Sequence, residues 1–160
     1  MTSQSERNAL VAQIKNFPIE LEALLAQYPE TMFDIPVKPG EWTIRQIVHH
    51  LADAHMNALI RMKLVLTEDK PILKPYDQDK WARQADIELP IQSSLLILRG
   101  LHERWAELLS NLPDDDWNRA GIHLENGLVT LDQLLKLYSG HGQTHLDQIR
   151  QLSVRQSTQG

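Results

Sequence analysis

Apolar residues recur along this chain with the period of an α-helix. Leu10, Ile14, Phe17, Leu21, Leu24 and Tyr28 follow one another in steps of four and three, which lays one continuous stripe along a first helix. Pro18 stands inside that stripe and supplies no amide hydrogen, so it is expected to bend the helix or divide it. Pro29 to Gly40, with three prolines and one glycine, reads as a connection.

A second helix opens at Thr43, with Gln46 three positions on, a capping-box pattern that satisfies free amides at a helix start. Its apolar positions are Ile44, Ile47, Val48, Leu51, Ala58, Leu59, Met62, Val65 and Leu66. From Glu68 to Pro90 the periodicity is lost, and Pro71 and Pro75 among mixed charges predict a long ordered loop. Pro90 suits the first turn of a third helix, whose stripe runs through Ile91, Leu95, Leu98, Leu101 (or His102), Trp105, Leu108 and Leu109. Asn111 to Trp117 ends it. Asn126-Gly127, a strong two-residue turn signal, then predicts a hairpin between Ile122-His123-Leu124 and Leu128-Val129. Thr130 with Gln133 caps the fourth helix, which carries Leu131, Leu134, Leu135, Tyr138, His145, Ile149 and Leu152. The tail from Arg155 to Gly160 is polar and expected to fray. The fold class expected is all-α, a four-helix bundle with a small β-hairpin before the last helix.

At 160 residues the chain suits one domain, residues 1–160, large enough for a real core. Its 16 basic against 21 acidic residues, a net charge of −5, argue against a nucleic-acid surface, which needs clustered Lys and Arg. The polar start and the lack of any run near the ~18 apolar residues of a membrane helix predict a cytoplasmic protein with no membrane partner. There is no cysteine, so a transition-metal site would use nitrogen and oxygen donors.

Candidate chemistry lies in the histidines. His141 and His145, in Tyr138-Ser139-Gly140-His141-Gly142-Gln143-Thr144-His145, are one helical turn apart and lie on or beside the apolar face, so both imidazoles can reach one point. Gly140 and Gly142 flank the first of them, at about 1 kcal/mol each relative to alanine, a cost that close approach of a ligand or of another helix would explain. Gly142 stands where a zinc peptidase of the His-Glu-x-x-His type carries its glutamate, so that mechanism is unsupported. The alternative is an ordinary pair of core imidazoles held by hydrogen bonds. A third ligand has three candidates on the second helix. His55 lies near the centre of the apolar stripe, His50 to one side and His49 further round; spacing alone leans to His55 without deciding.

The stretch from Gly40 to Asn57, Arg61 to Glu68, Lys74-Pro75-Tyr76-Asp77, Lys80-Trp81-Ala82, Leu101 to Trp105 and Tyr138 to Ile149 together resemble the DinB-like superfamily, specifically its YfiT-like branch of metal-dependent hydrolases. The resemblance implies a four-helix bundle carrying one divalent ion per chain, Zn or Ni, on His50, His141 and His145, with His49 and His55 matching recurrent residues that are not the usual ligands. Gly140 stands where the branch commonly has tryptophan, and Thr144 and Gln148 where it has histidine.

Three imidazoles at about 2.0–2.1 Å would leave the ion an open position for water or substrate. The function implied is hydrolysis of a small molecule by activated water. An ion holding a thiolate would instead make a metal-dependent S-transferase, and an ion that only braces the helices would make a stress-associated binding module. A homodimer is also expected. Asp53 is a candidate to orient a histidine, against the commoner reading of a surface aspartate. Trp42, Trp81 and Trp105 read as packing residues, and Arg61, Lys63, Tyr76 and Lys80 as candidates for a cleft mouth that favours anions.

Overall fold

Three capping boxes start three of the four long helices. The computed structural model describes residues 2–157, with side chains through Leu152. Its elements are α1 (Gln4–Leu25), α2 (Ile44–Thr67), β1 (Ile72–Leu73), the single turn α3 (Gln78–Trp81), α4 (Gln92–Ser110), β2 (Ala120–His123), β3 (Gly127–Thr130) and α5 (Leu131–Ser157). Thr43 and Gln46 exchange backbone and side-chain hydrogen bonds at 3.0 and 3.2 Å ahead of α2. Thr130 and Gln133 do the same at 2.8 and 3.2 Å ahead of α5. Ser3 and Glu6 form a further box at α1, a Ser-x-x-Glu signal that the sequence carries just as openly.

The four-helix bundle expected from periodicity is present. Neither the first two long helices nor the last two are close neighbours in it. Both α1 and α2 pack chiefly against α4 and α5, so α1 faces α2 across a diagonal. The connection that crosses between them turns at Gly40, whose φ of 80° favours glycine. Val37 N–H then donates to the Trp42 carbonyl at 3.1 Å. None of the described helices is long and apolar enough to cross a membrane.

Several expectations need correction. Pro18 does not divide α1, which runs unbroken past it to Leu25 with the proline itself buried. Packing against two other helices holds the turn that a missing hydrogen bond weakens. Residues between Glu68 and Pro90 are not plain loop: they hold β1, α3 and a 3-10 turn at Ala85–Glu88. β1 pairs in parallel with β2, Ile72 opposite Ile122, so the hairpin becomes a three-stranded sheet in the order β1-β2-β3. Two residues are too few for any alternation to announce a strand. The hairpin turn is three residues rather than two, because His123 pairs with Gly127 across Leu124, Glu125 and Asn126. Gly127 takes the left-handed φ of 73° that closes such a loop. The tail expected to fray is helical as far as Ser157; Thr158 to Gly160 lie outside the described residues.

The core falls into two apolar clusters along the bundle. One contains Phe17, Leu21, Val48, Leu51, Leu98, Leu146 and Ile149. The other contains Val11, Ile14, Ala58, Met62, Trp105, Leu135 and Tyr138. On each helix the switch between clusters falls at the same level, and His55, His102, His141 and His145 occupy that level on α2, α4 and α5. The bundle therefore has an imidazole layer at its waist.

The two glycines flanking His141 differ in what surrounds them. A Cβ on Gly142 would meet the Phe17 ring at 2.7 Å, whereas one on Gly140 would meet nothing within 4 Å. Phe17 cannot swing aside, being stacked on His102 with ring centroids 5.2 Å apart and set edge-on to His55 at 5.1 Å. Close approach of a helix thus accounts for Gly142. Gly142→Ala is expected to destabilise by about 1–3 kcal/mol through overpacking. Gly140→Ala should stabilise by about 0.4–1 kcal/mol through a less flexible unfolded chain. Denaturant unfolding of the two variants against the parent measures both signs.

Candidate metal centre

Three histidine nitrogens converge between α2 and α5. His50 Nε2 lies 3.3 Å from His141 Nε2, which lies 3.3 Å from His145 Nε2. All three donor atoms fall within 4.8 Å of one another, an arrangement that could hold a metal ion. Ligand nitrogens on a tetrahedral ion at about 2.0–2.1 Å are themselves about 3.3–3.4 Å apart, so the spacing fits that ion. The donor chemistry fits as well. His145 Nδ1 lies 2.9 Å from Gln148 Oε1, and Gln148 Nε2 in turn reaches toward Glu41 at 3.5 Å. An amide oxygen only accepts, so His145 carries its proton on Nδ1 and turns a bare Nε2 lone pair to the site.

The remaining histidines separate cleanly from these. His49 ties helices together: its Nε2 donates to the Leu89 carbonyl at 3.0 Å, leaving Nδ1 to accept from the Ser94 hydroxyl at 2.7 Å. His55, which pattern favoured, lies behind the site with its Nε2 3.3 Å from His141 Nδ1. The centre of an apolar stripe is its deepest point, at 1% exposure here, whereas a ligand facing a cleft has to stand at the stripe's flank. His102 continues inward from His55, and His123 sits on the hairpin, accepting from Glu125 N–H.

Burial keeps the layer neutral. Desolvation, with the neighbouring His145 and His141, holds the His50 imidazole down to about 3. Desolvation and then His145 hold His141 at about 4. His145 is lowered by burial against an opposing hydrogen bond to Gln148. His102 is held at about 4 by burial, against its bond to the Ile14 backbone, and His55 lies well below its ordinary value for the same first cause.

The surrounding candidates resolve in different ways. Trp42 packs on the site, its ring 4.7 Å from that of His50 and stacked at 6.5 Å on that of His145. Trp105 is core, its indole N–H directed at Met62 sulfur at 3.0 Å. Tyr76 and Trp81 pair at 4.5 Å on the outer segment. Arg61 turns inward rather than to a cleft mouth, donating to the Tyr138 hydroxyl at 2.7 Å and the Lys74 carbonyl at 2.6 Å. Lys63 and Lys80 are exposed, the latter paired with Asp77 at 3.0 Å. Asp53 hydrogen-bonds to no histidine among the described residues; burial, with Asp86, pushes its half-buried carboxyl up to about 6. Gln148, noted in the sequence only as a departure from the branch pattern, is the partner of His145, and its place one turn later was a usable signal for that.

A histidine with a folded-state pKa below its ordinary 6.5 refuses protons that the unfolded chain accepts. Stability is therefore fully present above about pH 6.5 and declines as pH falls through the window from about 6.5 to about 3. Metal-free protein should show urea midpoints that drop steadily across that window. A flat profile would mean that these imidazoles titrate as exposed groups do.

The DinB superfamily model matches residues 13–149. A protein of Oceanobacillus iheyensis named "putative metal-dependent hydrolase" is 39% identical over 148 residues, 92% of this chain and 86% of the relative. A Bacillus cereus protein of the same name is 40% identical over 145 residues, 91% of this chain and 84% of the relative. The solved structure of YfiT from Bacillus subtilis, described as a probable metal-dependent hydrolase with an unusual four-helix bundle topology, superposes with a TM-score of 0.94 at 35% identity, over 98% of this chain and 91% of that one. With a matching family model, relatives close to 40% identity and the same bundle, this chain belongs to the DinB superfamily, in its YfiT-like branch.

Proposed function

We propose that this protein is a metal-dependent hydrolase acting on a small molecule, with one divalent ion, Zn or Ni, held by His50, His141 and His145. The observation that carries the reading is the convergence of three neutral imidazole nitrogens at ligand spacing, one of them fixed as a lone pair by Gln148. The names of the relatives support the same activity class. A bound ion of this kind lowers the pKa of its water toward about 7 and polarises a substrate oxygen.

The chain's own residues prepare that chemistry. His50 is buried and His141 and His145 half-buried, so the donors are largely shielded from bulk water. Trp42 covers His50 and His145 with an apolar ring and limits water there. The depressed pKa values keep protons from competing for the nitrogens near neutral pH. The two arms of the site come from α2 and α5, which Arg61 joins through Tyr138, so the ligand positions are held by packed helices rather than by loops.

Metal analysis of purified protein loaded with zinc or nickel is expected to give one ion per chain. His50→Ala, His141→Ala and His145→Ala should each weaken binding by at least about 100-fold and abolish turnover on an ester, amide and phosphoester panel. Retention of the ion by all three variants would overturn the ligand assignment. Conjugation of a low-molecular-weight thiol to an electrophile, with no hydrolysis, would replace the hydrolase reading by the S-transferase one.

A further inference from the structure

Pro18 lies inside α1, and its nitrogen has no hydrogen to return to the Ile14 carbonyl four residues earlier. That oxygen faces His102 instead, 2.5 Å from its Nδ1. From there the contacts run on as a single line. His102 Nε2 lies 2.8 Å from His55 Nδ1. His55 Nε2 lies 3.3 Å from His141 Nδ1. His141 Nε2 ends the line, 3.3 Å from both His50 Nε2 and His145 Nε2. The line thus crosses the bundle from α1 through α4 and α2 to α5.

The order of protons along it is forced. A carbonyl only accepts, and a neutral imidazole has one N–H and one bare nitrogen. His102 must therefore carry its proton on Nδ1 and present Nε2 as the acceptor. His55 must then donate from Nδ1 and accept at Nε2, and His141 must donate from Nδ1. Its Nε2 is left as a lone pair aimed at His50 and His145. Reversing any one link would set two N–H groups or two lone pairs against each other in a buried layer, where no water can satisfy the unmade bond. Neighbouring rings prevent relief by rotation: Phe17 stacks on His102 and meets His55 edge-on. Trp105 meets both from another side, at 5.8 and 5.4 Å.

We propose that the Ile14 carbonyl freed by Pro18, His102 and His55 form a relay that sets the tautomer of His141 and keeps its Nε2 available to a cation. His55 and His102 are positioning residues in this arrangement, acting through His141. The proposal rests on the metal reading for its purpose, while the tautomers themselves belong to the metal-free protein.

Long-range ¹H–¹⁵N spectra of the metal-free, histidine-labelled protein near neutral pH test it directly. His102, His55 and His141 are expected to show the Nδ1–H pattern, and an Nε2–H signature at His141 would overturn the relay whatever the metal affinity. A second arm measures zinc affinity by competition with a chromophoric chelator. His102→Leu removes the acceptor for His55 Nδ1–H and is expected to weaken zinc binding about 10–100-fold. His102→Gln, whose amide oxygen can accept that hydrogen, should recover most of the loss. Unchanged affinity in His102→Leu, or equal losses in the two variants, would overturn the relay. If the parent protein takes up no zinc, the metal reading falls and the spectra alone decide the relay.

Discussion

Imidazole nitrogens buried away from water have to find partners among themselves, and the middle of this bundle is built around that requirement. Two apolar clusters meet at a layer where α2, α4 and α5 each bring histidine. A layer of this kind is stable only if donors and acceptors alternate throughout, because one mismatched contact in low dielectric outweighs the net gain of several good ones. Here the alternation begins at a backbone oxygen that can only accept and ends at the His141 Nε2 lone pair, which faces the ring nitrogens of His50 and His145. The lone pairs of His141 and His145 point at one spot and repel each other; a cation is the natural complement, which makes the proposed ion part of the same polar accounting as the hydrogen bonds.

That layer constrains the helices around it. α1 contributes no histidine, but it supplies the Ile14 carbonyl and the Phe17 ring, and α5 comes close enough to Phe17 that position 142 has room for hydrogen only. The diagonal placement of α1 and α2 lets α4 and α5 each touch both, so His102 can reach α1 and α2 at once. Toward one end of the bundle, Arg61 joins α2 to α5 through Tyr138. Near the chain start, Arg7 lies over Trp117 and pairs with Asp132 and Asp114 while Thr2 bonds to Asp132, tying α1 to the start of α5. Both sets of contacts lie on the side of the layer occupied by the cluster that holds Trp117 and Tyr138.

Departures from the branch pattern have local meanings. Gln148, where the resemblance leads one to expect histidine, fixes His145 through an acceptor that has no charge and does not titrate. Thr144 bonds back to the Gly140 carbonyl at 3.1 Å, an i to i−4 contact confined to its own helix. Gly140, where the resemblance leads one to expect tryptophan, leaves open space. Trp42, arriving from the connection before α2, places an indole against the His50 ring.

Local signals determined a good deal by themselves. Helix periodicity, the Thr43 and Thr130 boxes and the positive-φ glycine of the hairpin are properties of a few adjacent residues, so the four helices and the hairpin could be read without the fold. The His141–His145 pair was legible for the same reason, since an i, i+4 spacing fixes a shared face. Which of His49, His50 and His55 joins that pair was not, because the choice depends on how α2 is rotated against α5. Resemblance pointed to His50, and the tertiary structure brings His50, rather than the deeper His55, into reach of the pair. Strand β1, the helical continuity through Pro18, the inward turn of Arg61 and the histidine line from Ile14 were decided only by packing. Each depends on a partner scores of residues away or on neighbours that hold a strained turn, and local sequence carries no record of either.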